Sequence, residues 1–140
     1  MDGLRIYVAG PMESAGGNWN MPLFDYVAKK LRERGGEIFS PAEHIREMHG
    51  DLETVKALSP ALRKMARREA LKDEICWIID NAQLVLLLAG WERSPGATAE
   101  RAAALACGIE VREAGTILLP TSDDPLDREP ALELNLQLKE

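Results

Sequence analysis

The sequence predicts an α/β domain of the Rossmann-like, flavodoxin-like kind. We expect it to be doubly wound, with a mostly parallel sheet of about five strands and helices on both faces. Short apolar stretches alternate along the chain with longer segments whose apolar residues recur at helical spacing. Residues 84–89 are apolar at every position, as expected for a strand buried on both sides. We therefore expect one domain, residues 1–140, with its core at about residues 4–119.

The first part of the chain contains two predicted strands and one helix. Residues 4–9 predict a strand that leads into a turn at residues 10–12. A helix follows, capped by Asn18 or Asn20, because the next apolar residues have helical spacing. Residues 37–40 predict a short strand at or near the sheet edge, which Pro41 ends. The polar residues 46–59 predict an irregular loop or a lid.

A long helix is predicted from Ser59-Pro60 to about Asp80, because serine caps helices and proline suits the first helical position. Apolar residues on one of its faces are assigned to the core: Leu71, Ile75, Ile78, Ile79 and Ala82. Asp73, Trp77 and Asp80 fall together on the opposite side. An exposed tryptophan is unusual for a monomer, so we expect a subunit interface at Trp77.

The second part of the chain begins with the central strand, residues 84–89. A turn then leads to an alanine-rich helix, with Ser94 as its cap, Pro95 at its first position and Gly108 at its end. Residues 109–111 predict a short strand or connector, and residues 116–119 predict the last clear strand. Residues 120–140 predict a loop and a tail.

Composition limits the function classes. The chain has 17 Lys and Arg residues against 23 Asp and Glu residues, a formal net charge of −6. An acidic protein binds polymeric nucleic acid and anionic membranes poorly. Cys76 and Cys107 lie in apolar stretches, so we interpret them as small buried side chains of a protein in a reducing compartment. No apolar stretch has the length of a membrane span, and the expected location is the cytoplasm.

The sequence lacks the motifs of several common kinds of catalytic and binding site. The chain has no G-x-G-x-x-G, Walker A or G-x-S-x-G sequence, and its two His and two Cys residues lack the spacing of zinc ligands. We therefore expect neither a metal nor a cofactor. The remaining candidates are carboxylates near the carboxyl edge of the sheet: Glu43, Asp73, Asp80, Glu92 and Glu100. Paired acids suit cleavage of a glycosidic bond through a cation-like transition state.

Four stretches carry a resemblance: residues 7–12, 41–44, 73–82 and 90–100. Together they resemble the nucleoside 2-deoxyribosyltransferase family, and especially its nucleoside 5′-monophosphate N-glycosidase branch and related phage and bacterial proteins. The last stretch is the most specific, because Ser94 stands in a small-residue turn six residues before Glu100, which opens a helix.

The resemblance implies catalytic roles. Glu100 matches the glutamate that attacks the anomeric carbon and forms a covalent glycosyl-enzyme intermediate. The helix start is expected to keep Glu100 ionised. Tyr7 matches a tyrosine that positions the nucleophile. Asp73 matches the aspartate that helps the leaving base take up a proton, and Asp80 remains the alternative because the spacing to the next strand differs.

The resemblance also implies substrate contacts. Ser94 and Gly96 match the turn that holds a 5′-phosphate or 5′-hydroxyl, and Gly10 matches the first phosphate-side loop. The other substrate-binding candidates in the matched stretches are Pro11, Met12, Glu43, His44, Trp91, Arg93 and Thr98. The phosphate-binding branch carries an arginine where this chain has Glu13, which would repel phosphate, so the phosphate preference stays open with Arg93 as a substitute.

Each candidate also has a structural interpretation. Glu100 fits a first-turn acid that stabilises its helix, and Tyr7 fits a core aromatic residue. Asp73 and Asp80 fit solvated helix acids, and His44 fits a surface histidine. Trp19 and Trp91 either stack on a nucleobase or pack against the protein. Surface positions are expected for His49 and for the basic residues Arg63, Lys64, Arg67 and Arg68.

The sequence therefore predicts cleavage of the N-glycosidic bond of a nucleoside 5′-monophosphate or a nucleoside, by hydrolysis or by 2-deoxyribosyl transfer to another base. The alternative is a non-catalytic nucleotide-binding module of the same fold. Expected partners are the small-molecule nucleoside or nucleotide and further copies of the chain, in a dimer or larger assembly. The resemblance implies the assembly, since sites in that family borrow residues from a neighbour, and Ser122 or the tail is a candidate donor.

Overall fold

The protein is built around one parallel sheet. The structure, a computed structural model, describes residues 2–115. Its strands are β1 (Arg5–Ala9), β2 (Glu37–Phe39), β3 (Leu84–Leu87) and β4 (Glu110–Glu113). They run parallel in the order β2-β1-β3-β4, with Tyr7 paired to Phe39 on one side and to Val85 on the other. The predicted α/β class and Rossmann-like, flavodoxin-like arrangement are confirmed, with four strands in the described part of the chain.

Helices connect the strands and pack on both faces of the sheet. They are α1 (Met21–Glu33), α2 (Pro41–His49), α3 (Leu52–Lys56), α4 (Pro60–Asn81) and α5 (Pro95–Ala106), with short 3-10 helices at Glu13–Ala15 and Trp91–Arg93. None of the helices within residues 2–115 is both long and apolar enough to cross a membrane. The strand predicted at residues 116–119 and the tail predicted at residues 120–140 lie outside the described residues.

Alternation along β1 and β3 divides the core into two layers. Ile6, Val8, Leu84 and Leu86 pack on one face with apolar residues of α1. Their neighbours in the strands, Tyr7, Ala9, Val85 and Leu87, pack on the other face with residues of α4 and α5. Successive strand side chains point to opposite faces, so a strand that is apolar at every position serves both layers.

The prediction of an irregular loop or a lid at residues 46–59 is wrong. Two helices occupy most of this stretch, α2 from Pro41 and α3 from Leu52. Pro41 does end the strand, but it also stands at the first position of α2, where proline is favoured. Asp51 caps α3, because its carboxylate accepts a hydrogen bond from the backbone N–H of Thr54 at 2.8 Å.

The exposed face predicted on the long helix is also partly wrong. Asp73 and Asp80 are exposed, but Trp77 is half-buried and packs against Phe39 and Tyr7, with ring centroids 5.3 and 6.4 Å apart respectively. The aromatic residues of β1 and β2 lie under this turn of α4, which explains why the tryptophan points inward. Because Trp77 packs against the sheet, its side chain gives no reason to expect a subunit interface at this position.

Three residues predicted to be buried are exposed. Ile79, assigned to the core, has 53% of its surface exposed. Cys76 and Cys107 are both exposed free thiols. The error at Ile79 and Cys76 has one cause: both lie on the side of α4 that faces away from the sheet, although the local sequence around them is apolar.

Gly10, at the end of β1, is expected to tolerate no side chain. A Cβ on Gly10 would lie 2.8 Å from Cβ of Leu88, so the backbone would have to shift. Gly10→Ala is expected to lower the free energy of unfolding by about 1–3 kcal/mol. Urea unfolding measures this. The control is Gly96→Ala, where the nearest atom to the new Cβ is 3.9 Å away and the residue is helical. An equal loss in both variants would show that the close contact with Leu88 is not the cause.

Candidate active site

A cavity of about 580 Å³ opens at the carboxyl ends of β1 and β3. This is the edge where ligands bind in open α/β sheets. Its walls are formed by the loop after β1, one side of α2, Val55 of α3, the inner side of α4 and the start of α5. The lining residues are Gly10, Met12, Glu13, Ser14, Trp19, Pro41, Ile45, His49, Val55, Arg63, Ala66, Arg67, Ala70, Leu71, Glu74, Ser94, Pro95, Gly96, Ala97 and Glu100.

Glu100 is the buried acid of this cavity, with only 3% of its surface exposed. The start of α5 positions it: the Ser94 hydroxyl accepts a hydrogen bond from the backbone N–H of Ala97 at 3.2 Å, and Pro95 occupies the first helical position. Glu100 therefore projects from the second turn of α5 into the site, as the sequence predicted.

Tyr7 holds the Glu100 carboxyl. The Tyr7 hydroxyl donates a hydrogen bond to Oε2 of Glu100, and both side chains are buried. Stacking on Phe39, with ring centroids 5.4 Å apart, fixes the tyrosine ring. The two residues that the resemblance pairs are thus in direct contact.

Glu74, which the sequence analysis missed, is the third member of this cluster. It lies on α4, lines the cavity, and its carboxyl interacts with both Glu100 and Tyr7. A signal was present in the sequence: Glu74 stands four residues before the buried Ile78 and three after Leu71, so it lies on the inward side of α4. An acid in register with core residues needs a partner or a function.

Asp73 and Asp80, the predicted proton donors, do not line the cavity. Asp73 is exposed and its Oδ2 lies 3.1 Å from Nε2 of His44, whose ring packs against Phe39. Glu43 forms an ion pair with Arg32 on the outer surface, at 2.5 and 2.6 Å. None of His44, Asp73 and Glu43 lines the cavity, although two of them influence Glu74: burial raises the pKa of Glu74, the charge of His44 lowers it and that of Asp73 raises it.

The remaining predicted binding residues lie in or next to the turns after β1 and β3, and only some of them line the cavity. Ser94 and Gly96 line the cavity, as do Gly10 and Met12 from the turn after β1. Four other predicted binding residues do not line the cavity: Pro11, Trp91, Arg93 and Thr98. The Pro11 carbonyl accepts a hydrogen bond from the Asn20 side chain, and the Trp91 indole donates one to Glu113 at 2.9 Å. The Thr98 hydroxyl donates a hydrogen bond to the Ser94 carbonyl at 2.9 Å, and Arg93 is exposed. Arg101 covers the Trp91 ring at 5.0 Å, so Trp91 has a packing role here.

The basic residues Lys64, Arg67 and Arg68 of α4 are exposed, as predicted, and Arg63 is half-buried. Arg63 and Arg67 line the cavity, and so does His49. Glu13, the acid at the position where the resembling branch has an arginine, accepts hydrogen bonds from Arg63 at 2.7 Å and from Arg67 at 2.8 Å. Arg63 also lies over the Trp19 ring, 5.6 Å from its centroid. The two guanidinium groups outweigh the Glu13 carboxylate, so this end of the cavity is net positive.

One protein family matches the chain. The sequence model of that family, described as "Domain of unknown function (DUF4406)", matches residues 4–113. The chain belongs to the DUF4406 family. The matched range contains all four strands and every residue that lines the cavity. No curated protein and no solved structure is significantly similar to the chain.

In this DUF4406 domain, burial controls the charge of the acid cluster. Burial raises the pKa of Glu100 well above its ordinary value, the neighbouring Glu74 carboxyl raises it further, and the hydrogen bond from Tyr7 opposes the rise. Burial raises the pKa of Glu74 as well. The helix start therefore does not hold the pKa of Glu100 at or below its ordinary value, contrary to the expectation that it keeps this acid ionised. The field of the α5 N-terminus falls off within the first turn, and Glu100 lies beyond it.

The two carboxyls behave as a pair. Like charges this close resist simultaneous ionisation, so the pair keeps one proton to a higher pH than either acid would alone. Between its two titration steps the pair carries one negative charge and one proton. In that state a carboxylate and a carboxylic acid lie side by side in the cavity.

Among residues 2–115, no group of three or more His, Cys, Asp and Glu side chains is arranged to hold a metal ion.

The raised pKa values predict how stability depends on pH. In the unfolded chain both acids ionise near pH 4.3, about the ordinary glutamate value. The folded state binds more protons above that pH, so the free energy of unfolding falls as the pH rises. Glu100→Gln is expected to raise Tm relative to wild type at pH 8 and to raise it less at pH 5. Thermal unfolding at the two pH values measures this, with the exposed Glu92→Gln as control. A Tm difference that is the same at both pH values would contradict the burial argument.

Proposed function

We propose that this protein cleaves the N-glycosidic bond of a nucleoside 5′-monophosphate or a nucleoside, with Glu100 as the nucleophile. One observation carries the proposal: a buried glutamate, held by a tyrosine hydroxyl, lies beside a second carboxyl at the base of a cavity of nucleotide size. This arrangement matches what the resemblance to the nucleoside 2-deoxyribosyltransferase family implies for Glu100 and Tyr7. It differs from that resemblance in the acid, which is Glu74 instead of Asp73.

In the proposed first step, Glu100 attacks the anomeric carbon of the sugar as the carboxylate. The bond between the sugar and the base nitrogen breaks, and its electron pair leaves with the base. The proton that the pair shares, which the higher pKa of Glu100 places on Glu100, transfers to Glu74 as Glu100 attacks, and Glu74 passes it to the base, which departs neutral. Tyr7 keeps its hydrogen bond to Oε2, so Oε1 is the oxygen that forms the ester with the sugar. The step ends with a glycosyl-Glu100 ester and a Glu74 carboxylate.

In the proposed second step, the Glu74 carboxylate takes a proton from water as the water oxygen attacks the anomeric carbon. The ester bond to Glu100 breaks, Glu100 leaves as a carboxylate, and the sugar is released. If a second base attacks instead, the product is a new nucleoside and the reaction is a transfer. The same residues serve both outcomes, so the choice depends on which nucleophile enters the cavity.

Two further features of the cavity support a nucleotide substrate. The Trp19 ring offers a face for stacking on a base, and Arg63 lies over that ring. Arg63 and Arg67 supply positive charge that suits a phosphate, and they take the place of the arginine that Glu13 replaces. We therefore propose that the 5′-monophosphate is used better than the nucleoside.

The test is an assay for released base. The full chain is incubated with a panel of nucleosides and their 5′-monophosphates, with and without an acceptor base, and the free base is separated by chromatography. Release from the monophosphates without an acceptor supports hydrolysis, and release that requires the acceptor supports transfer. No release from any member of the panel contradicts the proposal.

The raised pKa of Glu100 favours one alternative, a nucleotide-binding module without turnover, because a protonated carboxyl is a poor nucleophile. A rise in Tm with a nucleotide, without released base, would support this alternative.

A further inference from the structure

One face of α4 carries a regular stripe that no other described part of the chain covers. The stripe, here the α4 seam, consists of Leu62, Met65, Glu69, Lys72, Cys76 and Ile79, and all six are exposed. Their spacing alternates between three and four residues, as in the contact positions of a coiled coil. The seam extends over about 26 Å of helix at 1.5 Å per residue.

The apolar part of the seam is unusually open. Leu62, Met65 and Ile79 have 51%, 63% and 53% of their surfaces exposed. At 3.6 residues per turn, the α4 residues that line the cavity, such as Arg67 and Glu74, lie on the other side of the helix. A partner on the seam therefore leaves the mouth of the cavity free.

We propose that the α4 seam is the interface with a second copy of this chain, packed antiparallel about a two-fold axis. The axis passes the helix at a point between residues 70 and 71. In this register Leu62 meets Ile79 of the partner subunit, Met65 meets the partner's Cys76, and Glu69 meets the partner's Lys72. Each contact occurs twice, as two-fold symmetry requires. The proposal does not depend on the proposed reaction.

The order of residues along the α4 seam indicates which molecule packs on it. The seam is apolar towards both ends and carries one acid and one base about its centre, so only an antiparallel copy puts opposite charges together in both central positions. A parallel pair would put Glu69 against Glu69 and Lys72 against Lys72, which is unfavourable. Neither charge has an ion-pair partner within residues 2–115. Charged central layers of this kind specify register in coiled coils.

Cysteine cross-linking tests the register directly. Met65→Cys in a Cys107→Ser background places the new thiol opposite the partner's Cys76. Oxidised glutathione, which takes up the two electrons, should convert most of the protein to a covalent dimer on a non-reducing gel. The controls are Cys107→Ser alone and the triple variant Met65→Cys, Cys76→Ser, Cys107→Ser. In these, equivalent thiols stand about 16 Å apart along the helix, so little dimer should form.

Charge exchange is the second measurement. Sedimentation equilibrium of the full chain should show a dimer, and Lys72→Glu should raise its Kd by about tenfold or more, because two acids then face each other. The double variant Glu69→Lys, Lys72→Glu restores both opposite pairs and should recover most of the affinity. A monomeric wild-type protein, or covalent dimers of the single-cysteine controls, would overturn the proposal. The first result would mean that another occupant, such as residues 116–140, covers the seam.

Discussion

Glu100→Gln is expected to abolish the release of free base from every substrate that wild type uses, with kcat reduced at least about a thousandfold. The amide has nearly the same shape as the acid and still accepts the hydrogen bond from Tyr7, but it cannot form the glycosyl ester. Removal of a covalent nucleophile leaves only the contribution of binding and positioning, which is why the expected loss is the largest of any single change.

The measurement is base release by chromatography at saturating substrate, together with mass spectrometry of the arrested wild-type enzyme. A sugar adduct should map to the peptide that contains Glu100. Glu92→Gln is the matched control, because Glu92 is an exposed acid outside the cavity lining. An adduct on another residue, or turnover within tenfold of wild type in Glu100→Gln, would exclude Glu100 as the nucleophile.

Glu74→Gln has the second largest expected effect, a loss in kcat of about a hundredfold or more for bases that need a proton to leave. The reason is the acid cluster: Glu74 contacts Glu100 and lines the cavity, so it is the group placed to donate that proton. A substrate whose base leaves without a proton, such as 7-methylguanosine or its monophosphate, should lose far less activity. That difference between substrates separates a proton donor from a residue that only supports Glu100.

The comparison variants for this prediction are Asp73→Asn and Asp80→Asn, the two acids that the resemblance suggested. Asp73 contacts His44 and both acids are exposed, so each variant should keep activity within a few-fold of wild type. If Asp73→Asn loses base release while Glu74→Gln keeps it, the proton donor is Asp73 and the assignment of Glu74 is wrong.

Much of the fold was predictable because it depends on local patterns. The unbroken apolar stretch at residues 84–89 indicated a strand buried on both faces, and β3 has that environment. Ser94-Pro95 and Ser59-Pro60 marked helix starts, and both serines accept the expected capping hydrogen bonds. The prediction failed at residues 46–59, where a proline that starts a helix was interpreted only as the end of a strand.

Part of the candidate site was also predictable. The motif at residues 90–100 placed Glu100 one turn into a helix at the sheet edge, and Tyr7 followed from the matched stretch in β1. Their contact joins residues 93 positions apart. No local pattern determines such a contact, because it depends on β1 and β3 pairing in one register and on α5 packing over them.

The sequence by itself determined the fold class and the helix starts, because strand alternation and capping are properties of neighbouring residues. The motif at residues 90–100 and the family resemblance indicated Glu100 and Tyr7 as residues of the site. Only the tertiary structure decided which acids and bases meet there. It put Glu74 beside Glu100, and Arg63 and Arg67 around Glu13, while it left Asp73 outside. The physical reason is that the side of a helix that faces the sheet is set by packing between distant segments. Desolvation, which raises the pKa of Glu100, exists only once that packing has formed.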